Sequence, residues 1–385
     1  MKDKMESKYY CSAPWKGITV RENGNVQTCC VGLKVLGNLH HQSIQEIMAS
    51  DALTVIKHNM LNNIDDDNCK LCRSQEKVNN YATLRNHYVK NYPLTDGDFS
   101  LEFLDIRWNN KCNLGCVYCG PEFSSVWEER KHIDIKQSAR KDYQDELLAW
   151  VLDKSQNIKE LSLVGGEPML MKQNYELFKL LPDHTQISMI TNLSYDFESL
   201  PCVDNLLKRP HNKIMWNVSL ENTHEKFEYI RNGASWEQVV KNFRFLTKHW
   251  PTSVSVNMVY GLFSAFDLPA TAQTLSGMGI NKINLMPIGK HNEMNLSYMP
   301  PEIRQQAVDS LKQLVAEHQQ RMGVDANLYP IEGIEEIMAG LGKNNNVILS
   351  RNQILRKIKW FDNWQKTNKF ADLWPNIMDK INTLD

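Results

Sequence analysis

The sequence predicts an α/β protein, and three observations point that way. Between residues 101 and 300, six apolar, β-prone runs alternate with helical stretches, the pattern of a parallel sheet with right-handed crossovers. Directly after the first run (Phe103, Leu104, Ile106, Trp108) come Cys112, Cys116 and Cys119, at the carboxyl end where such folds bind ligands. The second run ends in Gly165-Gly166-Glu167-Pro168, a strand-to-helix turn.

The chain has 385 residues, enough for one large domain or two to three smaller ones. Its net charge is −1, and the missing basic excess speaks against a nucleic-acid partner. The amino terminus is charged and polar, unlike a signal peptide, and no apolar run reaches the length of a membrane span. The nine cysteines, without a secretion signal, therefore suggest metal or redox work in the cytoplasm rather than disulfides.

Residues 1 to 100 open with Cys11. Alternating residues about Asn23-Gly24 predict a β-hairpin with Cys29 and Cys30 on its second strand. Adjacent strand residues face opposite ways, so only one of the two is expected to share a site. Helical periods follow near residues 43–61, then Cys69 and Cys72 in a C-x-x-C hook and a polar helix to about Asn91. Cys11, Cys29 or Cys30, Cys69 and Cys72 make four thiolates, and by spacing alone zinc wins or draws with an iron–sulfur cluster.

In the central region, three thiolates within eight residues, with Gly115 among them, can reach three corners of a cubane. Zinc prefers C-x-x-C pairs and four ligands, which fits this triplet poorly; buried structural thiols are the other bland reading. Gly165 and Gly166 permit close approach of a ligand to the backbone, Glu167 can accept hydrogen bonds from an ammonium group, and Pro168 suits a first helical position. A plain strand-to-helix turn would look the same. The later strands are expected at Gln186 to Thr191, Ile214 to Leu220, Val254 to Tyr260 and Lys282 to Ile288.

The cysteine triplet followed by the GGEP turn resembles the radical S-adenosylmethionine (SAM) superfamily. The resemblance implies a partial (β/α)6 barrel over residues 101–300, with a four-iron, four-sulfur (4Fe-4S) cluster on Cys112, Cys116 and Cys119 that leaves one iron open to SAM. It further implies that Gly165, Gly166 and Glu167 meet the amino group of SAM and Ser219 its ribose; Thr191, Asn192 and Ser219, at the carboxyl ends of strands, are expected to line the mouth. Arg231 would meet the SAM carboxylate, for which an Arg fork is suited. Tyr118 and Met286, with Pro287 and Ile288, would flank the adenine, although ordinary core explains such apolar positions almost as well. Where the family shows S-x-D this chain has Glu221, which leaves the role of that residue open.

The first hundred residues resemble the auxiliary modules called SPASM and twitch domains, here placed before the barrel. Cys11, the G-x-V-x-x-C of Gly24 to Cys29, Gly37-Asn38-Leu39 and the C-x-x-C carry that likeness. It implies a second, auxiliary 4Fe-4S cluster on Cys11, Cys29, Cys69 and Cys72, with Cys30 left as an extra thiol. Cys202 reads as packing, with a hydrogen-donor role as the sharper alternative.

The tail, 301–385, reads as helical, with Ile303, Val308, Leu311, Leu314 and Val315 at helical spacing and further helices over 331–341, 347–367 and 370–383. Trp360, Trp364 and Trp374 are packing anchors or part of a lid, packing being the simpler reading. The resemblance implies an enzyme that cleaves SAM reductively and takes a hydrogen atom from a peptide or small metabolite. A flavodoxin- or ferredoxin-type donor would supply electrons. The competing readings are a non-catalytic iron–sulfur or zinc protein for electron transfer or sensing, and an RNA-modifying enzyme that the neutral charge disfavours.

Overall fold

The computed structural model describes residues 7–78, 83–94, 98–132, 142–288, 293–322 and 348–384. They divide into two compact units. One holds Met1–Cys112, Gly120–Met189 and Pro201–Ile214; the other holds Asn113–Cys119, Ile190–Leu200 and Met215–Asp385.

The first unit is built on the strand order β3-β2-β1-β4-β5-β6. The strands are β1 (Gly17–Val20), β2 (Asn25–Gln27), β3 (Gly37–Asn38), β4 (Phe103–Ile106), β5 (Glu160–Leu163) and β6 (Gln186–Thr191). The predicted hairpin is β1–β2, antiparallel with Thr19 opposite Gln27. Its turn uses Gly24 at φ +80°, a conformation a Cβ disfavours. β1 then runs parallel to β4, Ile18 beside Leu104, so the amino-terminal hairpin and the first central strand share one sheet. β4–β5 and β5–β6 are parallel. Ser43 and Glu46 form a reciprocal capping box at the helix Ile44–Met48, and Ser50 caps Asp51–Leu61; both satisfy amide donors that a helix start leaves unpaired.

The hairpin differs from expectation at one point. β2 stops at Gln27, so Cys29 and Cys30 lie on a turn closed by Gly32 N donating to Cys29 O (3.0 Å). The reason is Arg21 and Gln27: Gln27 Nε2 donates to Gly32 O and Arg21 Nη2 to Cys30 O, which holds the chain in a bend instead of a ladder. The strand rule of opposite faces therefore does not sort the two cysteines.

The second unit contains β7 (Ile214–Ser219, from Met215 on), β8 (Val254–Tyr260) and β9 (Ile283–Pro287), joined in parallel with Asn217 beside Ser255 and Asn257 beside Asn284. With β4 to β6, this is the α/β fold predicted above, six strands alternating with helices as in the partial radical SAM barrel. Strand faces divide cleanly. Leu104, Leu161 and Ile187, then Ile106, Leu163 and Met189, are at most 1 % exposed, and burying each large apolar side chain contributes about 1.5–3 kcal/mol. The opposite face carries Asp105, Ser162 and Ser188 in register. The second unit repeats this with Asn217 accepting from Ser255 Oγ (2.8 Å) and Asn257 from Asn284 Nδ2 (2.8 Å). A half-polar sheet presents one face to core and the other to polar ligands or solvent.

The tail is helical over Pro301–Met322, Arg351–Asp362, Phe370–Leu373 and Pro375–Asn382. The expected helix 331–341 lies outside the described residues. The span 370–383 is two helices, because Pro375 lacks an N–H and restricts the residue before it. Likewise the stretch 122–153 holds helices Ser125–Arg130 and Gln144–Asp153, and its middle lies outside the described residues. Trp374 is a packing anchor: it is buried, stacks on Phe370 (5.0 Å) and donates Nε1 to Asp267.

Candidate active site

The approach to Cys112 is organised within the first unit. Trp108, 1 % exposed, donates Nε1 to Asn174 Oδ1 (2.7 Å) and anchors the chain as it leaves β4. Ser125 brackets Cys112, its hydroxyl bonding both the Cys112 N–H and carbonyl (3.1 Å each), and Ser125 N donates to Asn110 O. The Gly165-Gly166-Glu167 turn lies against the same backbone: Glu167 N donates to Lys111 O (2.8 Å). A Cβ on Gly166 would collide with Lys111 O, and Gly165 sits at φ +125° facing Asn109 O. These glycines thus let two backbone segments meet. Glu167 is fully buried and its Oε1 accepts from Met169 N, capping the short helix that Pro168 begins.

The remainder of the cysteine loop, Asn113 to Cys119, is built into the second unit. Asn192 Nδ2 donates to Asn113 Oδ1 (2.9 Å), Asn113 Nδ2 to Ser194 O (2.8 Å), and Asn192 Oδ1 accepts from Ser194 N (2.9 Å). Thr191 closes the same turn through Leu193 N. On its other side the loop is hung from Ile230–Gly233: Gly115 N donates to Asn232 O and Val117 N to Ile230 O, both 2.9 Å. Gly233, at φ +101°, leaves room for Asn113 O and Leu114. Asn113, Ser125 and Asn232 were not singled out from the sequence. The one available signal was the Asn232-Gly233 pair, a turn signature.

Arg231 lies between those two carbonyls, and its fork is engaged. Nε and Nη2 donate to the two oxygens of Glu221 (2.8 and 2.6 Å); Nη2 also reaches Tyr118 Oη (3.0 Å) and Nη1 lies 3.8 Å from Cys116 Sγ. The side chains of Arg231 and Glu221 are 6 % and 1 % exposed, so this is a buried ion pair. Burial acts to lower the guanidinium pKa, but the Glu221 carboxylate and nearby Tyr118 and Cys116 hold it well above the ordinary value. Burial likewise pushes the Tyr118 phenol well up. Glu221 is thereby the partner of Arg231. Tyr118 and Glu221 line a small pocket with Leu262, Phe263 and Ile288. Met286 is 40 % exposed while Ile288 is buried, and Ile288 lines the pocket. Ser219, half-buried, ends β7 beside Asn257.

The second cysteine group lies in the first unit. Burial first, then the mutual charges of Cys29, Cys69 and Cys72, raise the Cys11 thiol. Cys29 and Cys69 are each pushed up to about 11, mainly by burial, with Cys72 adding in both cases, and Cys72 is raised as well. Backbone donors oppose this at three of them: Ala13 at Cys11, Val31 at Cys29 and Arg85 at Cys72. Such donors favour the thiolate that a cluster requires, so the donor set fits an iron–sulfur group. Cys30 is different. Burial raises it to about 12, and its charged neighbours are Asp105, Cys29, Arg107 and Arg21. The nine cysteines form no disulfide, and among the described residues no three His, Cys, Asp or Glu side chains are gathered for a single metal ion. Cys202 is fully buried before the helix Val203–Lys208, and burial raises it to about 12, the setting of an inert packing thiol.

A family model described as the radical SAM superfamily matches residues 106–275, and one described as an iron–sulfur cluster-binding domain (SPASM) matches residues 11–74. Residues 106–275 therefore carry the radical SAM match that the cysteine triplet and the GGEP turn led us to expect. The chain's cofactors are those of the matched families, 4Fe-4S clusters and SAM. Among curated relatives, a probable GTP 3′,8-cyclase of Archaeoglobus fulgidus is 31 % identical over 162 residues, 40 % of this chain and 48 % of that protein. A GTP 3′,8-cyclase of Peptoclostridium acidaminophilum is 29 % identical, covering 41 % and 46 %. The chain thus spans under half the length of these two relatives. Solved structures of anSMEcpe with bound AdoMet and of Streptococcus suis SuiB bound to S-adenosylmethionine align at TM-scores of 0.43 and 0.41. Their identities are 18 % and 16 %, covering 60 % and 72 % of this chain and 61 % and 60 % of those. No helix among the described residues is long and apolar enough to cross a membrane.

Proposed function

We propose that this radical SAM protein cleaves SAM reductively and uses the resulting radical to take a hydrogen atom from a peptide or small metabolite. Cys112, Cys116 and Cys119 hold the SAM-binding cluster; Cys11, Cys29, Cys69 and Cys72 hold the auxiliary one. The observation that carries this reading is the C-x-x-x-C-x-x-C spacing of the first three inside the matched segment 106–275. A cluster held by Cys112, Cys116 and Cys119 would supply the electron for reductive cleavage of SAM.

The chain's own residues bind and orient. Asn192 and the Ile230–Asn232 backbone hold the cysteine loop, and Gly165, Gly166 and Glu167 hold its approach. Tyr118 offers a face for the adenine in the pocket that Ile288 also lines. Arg231, already neutralised by Glu221, steadies Cys116 and Tyr118 and keeps its remaining donor capacity for the SAM carboxylate. Cys11, Cys29, Cys69 and Cys72 would hold an auxiliary cluster serving electron transfer or substrate binding, and a flavodoxin- or ferredoxin-type protein would supply electrons to the first cluster. We read residues 1–100 as the auxiliary module, 101–300 as the barrel and 301–385 as a helical extension.

The test is anaerobic reconstitution followed by iron counting and a dithionite-driven assay. About eight irons per chain with 5′-deoxyadenosine formed supports the reading; a reducible cluster without SAM cleavage overturns it. The names of the relatives favour a second reading for the substrate, a purine nucleotide. GTP-dependent stimulation of 5′-deoxyadenosine release would select it over a peptide.

A further inference from the structure

The segment after residue 350 is hydrogen-bonded to the stretch from which the cysteine loop hangs. Gln365 Nε2 donates to Tyr229 O (3.0 Å). Asn232 Nδ2 donates to both Gln365 Oε1 and Trp364 O (3.0 Å each). Tyr229 Oη donates to Asp362 Oδ1 (2.9 Å), which also accepts from Phe370 N (2.9 Å). Trp374 lies edge-on to Tyr229 at 5.5 Å. The other side of the same stretch carries the loop, with Ile230 O on Val117 N and Asn232 O on Gly115 N. Arg231, between them, touches Tyr118 and Cys116. Asn232 is therefore a two-sided joint, its side chain held by the tail and its carbonyl by the loop.

The apolar attachment of the tail is separate from this joint. Phe361, Phe370 and Trp374 are buried and pack around Phe263, whereas Gln365 is half-buried and contributes directed bonds. An amide that donates to one backbone carbonyl and accepts from the next turn fixes orientation more than it adds buried area. Outer partners of this kind set the geometry of metal ligands in general.

We propose that the carboxyl-terminal helical segment is a positioning element for the SAM-binding cluster, with Gln365 as its positioning residue. Its two bonds hold Tyr229 to Asn232, and through Gly115 and Val117 they hold Cys116 and Cys119. This rests on the reading of Cys112, Cys116 and Cys119 as ligands of that cluster. The experiment compares reconstituted wild type, Gln365→Ala and Gln365→Glu by the electron paramagnetic resonance signal of the reduced protein with and without SAM. Melting temperature and SAM cleavage are read alongside. Gln365→Ala should melt close to wild type, show an altered SAM-induced signal and lose roughly tenfold in cleavage rate, the low end for removal of an outer partner. Gln365→Glu, which keeps the acceptor for Asn232, should fall between. A wild-type signal and rate in Gln365→Ala overturns the proposal. If that variant melts far below wild type, Gln365→Glu is read in its place against the same two outcomes. A wild type whose signal does not respond to SAM would instead overturn the ligand assignment on which the proposal rests.

Discussion

The two cysteine groups are built in opposite ways. Cys112, Cys116 and Cys119 lie within eight consecutive residues, and their geometry is set by what the loop backbone is bonded to: Ser125 before it, Asn192 and Ile230–Asn232 along it. Cys11, Cys29, Cys69 and Cys72 span more than sixty residues and sit on separate elements, each thiol raised by burial and all but Cys72 by other thiols as well. A short loop can be remodelled around an open ligand position. A dispersed, buried set is closed by the fold itself, as structural metal sites are. The contrast suits one reactive cluster and one supporting cluster.

The comparison breaks most sharply if the groups are not independent. Replacing Cys112, Cys116 and Cys119 together by Ala should take 5′-deoxyadenosine formation to background while leaving about four irons per chain. Cys69→Ala with Cys72→Ala should remove a similar amount of iron yet preserve SAM cleavage. Loss of all iron in either variant would show one shared centre.

A narrower test separates neighbours within the dispersed set. Iron counting on Cys29→Ala should show the auxiliary cluster gone, whereas Cys30→Ala should keep it, because the charges that act most on Cys30 are those of Asp105, Cys29, Arg107 and Arg21, while Cys69 and Cys72 act on Cys29. Equal retention in both variants would remove Cys29 from the ligand set.

The smallest expected effect concerns the surroundings of the loop. Glu221→Gln leaves the Arg231 charge buried without its partner, which costs about 3–5 kcal/mol and should lower the denaturant midpoint of the reconstituted protein while iron at the auxiliary site persists. An unchanged midpoint would mean the pair is solvated in solution.

Much of the fold could be read from the chain. The hairpin about Asn23-Gly24 and all six parallel strands stand where alternation and spacing placed them, within a residue or two at their ends. The departures have local causes. Arg21 and Gln27 bend the chain after β2, and Pro375 divides the last helix. The GGEP glycines were expected to admit a ligand; in the fold they admit the backbone of Asn109 to Lys111. A sequence shows that a glycine is needed, but the partner that needs the space is distant in the chain.

By itself, then, the sequence determined the succession of strands and helices along the chain, the cysteine spacings and the kind of chemistry those spacings allow, because each depends on residues near one another along the chain. The tertiary structure alone decided that β1 joins β4 in one sheet and that Glu221 occupies the Arg231 fork. It alone decided, too, that Asn232 joins the cysteine loop to Gln365. Those are contacts between residues ten to more than a hundred positions apart, and hydrophobic patterning, which is non-directional, does not specify which polar groups meet once the core has closed.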